Sequence, residues 1–229
     1  MLKIKIMRAY FFIFLFLFGS LSAISQSIPT VRIYKQLWAE KNLSVSKFQN
    51  GDDIPEAKTK QEWISAFENK RPAWCSYRNS SKNDSVFGKI YNWYAISDSR
   101  GICPPGFLIP TPQDWYILQY NLNMDTATGN PFIAAAKRMK SKTGWFENGN
   151  GTNYSRLNCK PGGVRLNDGS FTGYGRQIGY WSILPESIDT PTSTHAYRTP
   201  YYLVEFHAID LIVSEDPEMN GFYVRCIRQ

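Results

Sequence analysis

The chain changes character at Lys142, and that switch restricts its fold more than any other feature. Beyond it glycine, asparagine, serine and threonine dominate, with aromatic residues scattered among them: Trp145, Tyr154, Phe171, Tyr174, Tyr180 and Trp181. Such a stretch reads as short strands joined by long turns. Ahead of it the pattern is helical. Thr59 and Glu62 form a capping box, Trp63, Ile64 and Phe67 mark one apolar face, and Pro72 is expected to stop the helix. Thr111 is the N-cap of a second helix, with Pro112 at its first position and Asp114 in its first turn. Trp115, Leu118 and Leu122 follow at helical spacing, and a third helix is expected from Pro131 through Ala134 to Met139. Residues 31–38 read as a strand, and 79–84 as a surface loop. Residues 91–96 fit either a strand or a short helix. Residues 201–206, 208–213 and 221–228 read as closing strands, the first two as a hairpin. Helices in the first half with short strands and long loops in the second make an α+β domain.

The first 25 residues read as an export signal. Lys3, Lys5 and Arg8 precede an apolar run over residues 9–18, then Gly19 and Ser20, with Ala23 and Ser25 at the positions a signal peptidase reads. The run is far shorter than the roughly 20 apolar residues of a spanning helix, so no stable membrane span is expected after processing. Residues 26–229 suit one domain with its own core. Removing three basic residues lowers the formal net charge from +7 to +4. The remaining charge is spread along the chain, without the basic, aromatic-interleaved block that follows a phosphate backbone, so nucleic acid is not expected as a partner. In an oxidising compartment the four cysteines, Cys75, Cys103, Cys159 and Cys226, read as disulfide-formers. Spacing leaves all three pairings open. No CxxC supports a structural zinc site.

Several segments together resemble one family. They are QLWAEKNL, NGDDIPEA, PAWCSYRN, FGKIYNWYAI, RGICPPGF and IPTPQDW in the first half. MKSKTGW, PGGVRLNDGSF, GYWS followed by Glu186, and GFYVRCIR follow in the second. In order and spacing they resemble the Fibrobacter succinogenes major paralogous (FISUMP) domain over residues 31–228. That family is similar in fold to formylglycine-generating enzymes and, more distantly, to C-type lectins. Phe107 and Leu108 depart from its frequent Trp-His, Ile183 and Leu184 from its Ser-Thr, and Cys159 is additional. The resemblance implies a Cys103–Cys226 bridge, which leaves Cys75 to pair with Cys159 or both as free thiols. It also implies that the irregular second half carries the ligand loops.

Residue chemistry points away from catalysis. His195 and His207 lie in no metal-binding pattern, and Glu205 with His207, alternating on one strand face, reads as a surface polar pair. Gly173, Gly175 and Gly179 miss the phosphate-cradle spacing. Asn121, Asn123 and Asp125, with Gly129 beyond, lack a complete calcium ligand set and read as a polar helix exit. No metal or cofactor is expected. A formylglycine-generating activity would need a poised thiol pair that the pattern does not specify. Tyr154, Arg165, Tyr174, Arg176 and Tyr180 are the candidate ligand contacts, because aromatic faces beside guanidinium groups suit sugar stacking or a protein hot spot. Trp181 reads as core. Ser85 and Thr126, each in an Asp-Ser/Thr-aliphatic triplet, resemble O-glycosylation acceptors of Gram-negative secreted proteins and fall in expected loops. The expectation is an exported, non-enzymatic module, periplasmic, extracellular or at the cell surface, binding a glycan or protein. The alternative is a structural component of a surface layer or appendage, and less favoured is an oxidase of formylglycine-generating type.

Overall fold

The computed structural model describes residues 28–124, 135–184, 198–208, 211–217 and 220–228. The leader, Asp125, Thr126, Gly129, Pro131, Ala134, Glu186 and His195 lie outside these residues. The architecture is α+β. Among the described residues no helix is long and apolar enough to cross a membrane.

The first expected strand is a hairpin. β1 (Thr30–Ile33) pairs antiparallel with β2 (Gln36–Ala39), Ile33 facing Gln36 across a two-residue turn of Tyr34 and Lys35. The turn carries none of the Gly, Asn or Asp residues that mark hairpins, so the alternation runs through the break unnoticed. β2 then pairs with β11 (Ile227–Arg228), which pairs with β5 (Phe107–Leu108), giving the antiparallel order β1-β2-β11-β5. The disulfide joins Cys103, shortly before β5, to Cys226, immediately before β11, 123 residues apart in sequence.

Local hydrogen-bond chemistry sets the helices. α1 (Lys60–Glu68) has the reciprocal Thr59–Glu62 box, with Thr59 N–H donating to Glu62 Oε2 at 2.9 Å and Glu62 N–H to Thr59 Oγ1 at 3.1 Å. Asn69 caps its end, its side-chain amide donating to Ser65 O at 2.8 Å, so the helix stops before Pro72 is reached. Two 3-10 turns, Tyr77–Asn79 and Ser81–Asn83, lead into α2 (Asp84–Phe87) over the residues, 79–84, expected to form a surface loop. Residues 91–96 contain both expected alternatives. β4 (Ile90–Tyr91) pairs with β3 (Trp74–Cys75), and then buried Asn92 caps α3 (Trp93–Ile96) by accepting from Ala95 N–H at 3.0 Å. At α4 (Pro112–Met124), Thr111 N–H donates to Asp114 Oδ2 at 2.9 Å and Asp114 N–H to Thr111 Oγ1 at 3.2 Å. α5 (Ala135–Met139) is the described part of the third expected helix.

The second half builds a five-stranded sheet from β6 (Gly162–Arg165), β7 (Phe171–Tyr174), β8 (Gln177–Trp181), β9 (Arg198–Glu205) and β10 (Ile212–Pro217), in the order β10-β9-β8-β6-β7. β9 and β10 do form a hairpin, with Leu203 opposite Ile212. Residues 206–208 are outside it because their backbone is engaged elsewhere. Phe206 N–H donates to Arg176 O at 2.7 Å, and the buried Lys140 ammonium donates to the carbonyls of Glu205, Phe206 and Ala208 at 3.0, 2.9 and 3.0 Å. Of the final expected strand only β11 is regular. Residues 221–223 make single bridges to Arg165, Tyr91 and Tyr180.

This sheet is covered on both faces. Ile178, Tyr180, Tyr202 and Val204 pack into one apolar cluster with Trp38, Trp63, Trp115 and Met139. Trp181, Tyr201 and Leu203 pack into another with Phe48, Ile96, Phe222 and Val224. Alternating side chains point to opposite faces, so each face of β8 and β9 finds its own core.

Candidate functional site

The turn between β7 and β8 is clamped on both flanks. Gly175 N–H donates to Pro161 O at 3.0 Å, while Gly175 O accepts from Phe146 N–H at 2.8 Å and Arg176 O from Phe206 N–H at 2.7 Å. Gly173 holds a φ of 78°, and a Cβ there would stand 2.4 Å from Gln177 Cγ, so only glycine fits. The clamped backbone presents two side chains. Tyr174 is 56% exposed, stacks on Tyr77 at 5.7 Å with an interplanar angle of 27°, and meets Phe87 edge-on at 5.8 Å. The Arg78 guanidinium lies 6.0 Å from the Tyr174 ring. Arg176, also exposed, lies 3.8 Å over Phe146 and 5.2 Å from Phe206. Phe206 packs edge-on against His207, whose Nε2 is 3.4 Å from Glu205 Oε2. His207 is exposed, and among the described residues no third metal ligand joins this pair.

The expected contact residues separate. Tyr174 and Arg176 share the turn. Tyr154 is exposed but lines a different cavity with Arg32, Tyr34 and Arg156. Arg165 and Tyr180 are not contact residues, because both are fully buried. Arg165 on β6 donates to Ala57 O and Thr59 O, each at 2.7 Å, and to Gly169 O at 3.3 Å, between the rings of Trp63 and Phe171. It ties the start of α1 to the sheet. Tyr180 packs on Trp115 at 5.4 Å. Ser85 is exposed, in helix α2 rather than a loop. Sequence reading did not select Arg78 or Phe146, and isolated aromatic or basic residues carry no signal of direction. It also missed Arg32, Tyr34 and Arg156.

The two cysteines outside the disulfide are both free and buried, which excludes a Cys75–Cys159 bridge. Burial pushes the Cys75 thiol from its ordinary 9.0 up to about 12, although Arg165 beside it acts the other way. Cys159 is raised for the same reason, opposed by Arg225. Burial also raises the phenols of Tyr91, Tyr180 and Tyr223. At these five groups the folded state keeps protons that the unfolded chain surrenders, so the stability they contribute at neutral pH is lost as pH rises above about 9, whereas Lys140, lowered by burial to about 8, acts the other way. Urea titration with a thiol reagent checks both effects. We expect no labelling of the folded protein at pH 8, two thiols labelled on unfolding, and a midpoint that falls steadily between about pH 9 and 12. Labelling without denaturant would contradict the burial.

A family model, the Fibrobacter succinogenes major domain, matches residues 31–228. No curated protein and no solved structure gives a significant match. With the match covering nearly the whole of the described chain, from β1 to β11, the protein belongs to the Fibrobacter succinogenes major domain family.

Proposed function

We propose that this chain is an exported, non-enzymatic recognition module that binds a glycan or a protein, in the periplasm, at the cell surface or outside the cell. Its fold in this reading is like that of C-type lectins and formylglycine-generating enzymes, with ligand loops in the second half. The observation that carries the reading is the rigid β7–β8 turn, which holds Tyr174 and Arg176 exposed, each already braced by an aromatic neighbour. Bracing lowers the entropy lost when such side chains dock, and stacked tyrosine with a nearby guanidinium suits a pyranose face or a partner's hot spot. Recognition is favoured over oxidative chemistry because both free thiols are buried and held protonated, whereas a reactive cysteine is exposed and ionised.

A glycan array probed with labelled protein tests this. Tyr174→Ala and Arg176→Ala are each expected to weaken capture about tenfold, equivalent to about 1.4 kcal/mol, with little change in Tm because both side chains are exposed. Undiminished capture by both variants would remove the turn from the binding surface.

A further inference from the structure

The cavity that Tyr154 lines carries its own chemistry. About 470 Å³ in volume, it is lined by Arg32, Ile33 and Tyr34 from the β1–β2 hairpin, by Asn121 and Leu122 from the last turns of α4, and by Tyr154, Ser155 and Arg156 from the segment after α5. That volume lies within the roughly 300–1,000 Å³ of small-molecule sites. Ile33 and Leu122 are buried and form an apolar floor, while Tyr34 and Tyr154 are 63% and 40% exposed. Arg32 and Arg156 are exposed, and among the described residues neither has a carboxylate partner. Among the described residues that line the cavity none is acidic. Lys35, whose ammonium is 5.5 Å from the Tyr34 ring, adds positive charge beside that ring.

Two of these side chains are held in a conformation that does not suit them. Tyr34 has a φ of 53° and Arg156 a φ of 64°. Tyr34 is the first of the two residues in its hairpin turn, a place where glycine is usual when only that residue has positive φ. A bulky exposed residue there contributes nothing to the core, and its backbone is disfavoured. The segment bearing Arg156 is also fixed. Thr152, Asn153 and Ser155 donate their N–H groups to the carbonyls of Lys137, Lys140 and Arg138 at 2.9, 3.0 and 3.1 Å. These bonds satisfy carbonyls at the C-terminal end of α5 that the helix itself leaves open. Asn158 N–H donates to Asn153 Oδ1 at 2.8 Å, and buried Arg225 donates to Leu157 O at 3.1 Å. Beneath Tyr154, 5.5 Å from its ring, buried Arg138 donates to the Leu122 carbonyl and joins the segment to α4. The aromatic and cationic groups are thus presented by a preorganised backbone.

We propose that this cavity binds a carboxylate-bearing pyranose. The two guanidinium groups take the carboxylate, for which their planar fork is matched. The tyrosine rings take the sugar face, and Asn121 and Ser155 offer hydrogen bonds to ring hydroxyls. The site uses neither Tyr174 nor Arg176, so its failure and the failure of the β7–β8 turn are separate events.

Calorimetric titration with a galacturonic acid trimer, maltotriose and inorganic sulfate tests the proposal. The acidic trimer is expected to bind at least about tenfold more tightly than either comparison ligand, and its affinity to fall with added salt. Tyr34→Gly is the informative variant, since it removes the ring and relieves the turn together. We expect its Tm to hold or rise while affinity for the acidic trimer drops about tenfold. Arg156→Gly is expected to behave the same way, and Tyr174→Ala to bind the trimer as the parent does. No binding of the acidic trimer at millimolar concentration would overturn the proposal. So would equal binding of maltotriose or sulfate, or full affinity in both glycine variants.

Discussion

Replacing Arg165 with leucine is expected to cost about 3–5 kcal/mol of stability. The guanidinium satisfies three backbone carbonyls, of Ala57, Thr59 and Gly169, and fills the space between Trp63 and Phe171. Leucine restores some packing but supplies no donor. A buried carbonyl stripped of its partner costs about 1–3 kcal/mol, more where a charged donor is lost. Lysine should rescue little, because one ammonium on a flexible stem cannot bridge Ala57 and Thr59 as the planar fork does. Equilibrium urea unfolding measures the difference. A loss below about 1 kcal/mol would show that α1 is held to β6 by its apolar face alone. Ligand capture by the folded fraction should be unchanged, which separates this structural role from the contact role expected of Arg165 in the sequence.

Removing the Cys103–Cys226 bridge, with alanine at both positions, should cost about 5 kcal/mol in the chain-entropy model, because it closes a loop spanning 123 residues. For a chain of this size that corresponds to a fall in Tm on the order of 10–20 °C. The bridge lies beside β5 and β11, each only two residues long. Their pairing contributes few hydrogen bonds, so the cross-link has the greater share in holding the chain's end against β2. Differential scanning calorimetry of the double variant gives the answer directly. A Tm within about 3 °C of the parent would mean that Trp38, Phe107 and Ile227 keep the sheet together without it.

How far the sequence could be read depended on the range of the interaction. The Thr59–Glu62 and Thr111–Asp114 caps are satisfied within three residues, so the residue types alone announce them. Asn92 is nearly as local, but it also accepts from Ala73 N–H across nineteen positions, which is why the strand-to-helix change at that point was ambiguous. Tyr180 and Trp181 show the opposite case. They are neighbours on β8, and alternation would bury one and expose the other. Both are fully buried, because the sheet has a core on each face, and nothing in the five residues of β8 states what covers them.

The sequence by itself determined the family, the α+β class and the caps that start α1 and α4. These rest on local backbone chemistry and on motifs in fixed order. Only the tertiary structure decided which cations face water and which are consumed inside. Arg165 reaches carbonyls more than a hundred residues away, Arg225 reaches Ala39, and Lys140 reaches the end of β9. A buried charge is tolerated only where folding has already gathered enough acceptors around it, and such gathering leaves no trace in the residues beside it. The same holds for Arg32, Tyr34, Tyr154 and Arg156, which the chain brings to one cavity from two distant segments.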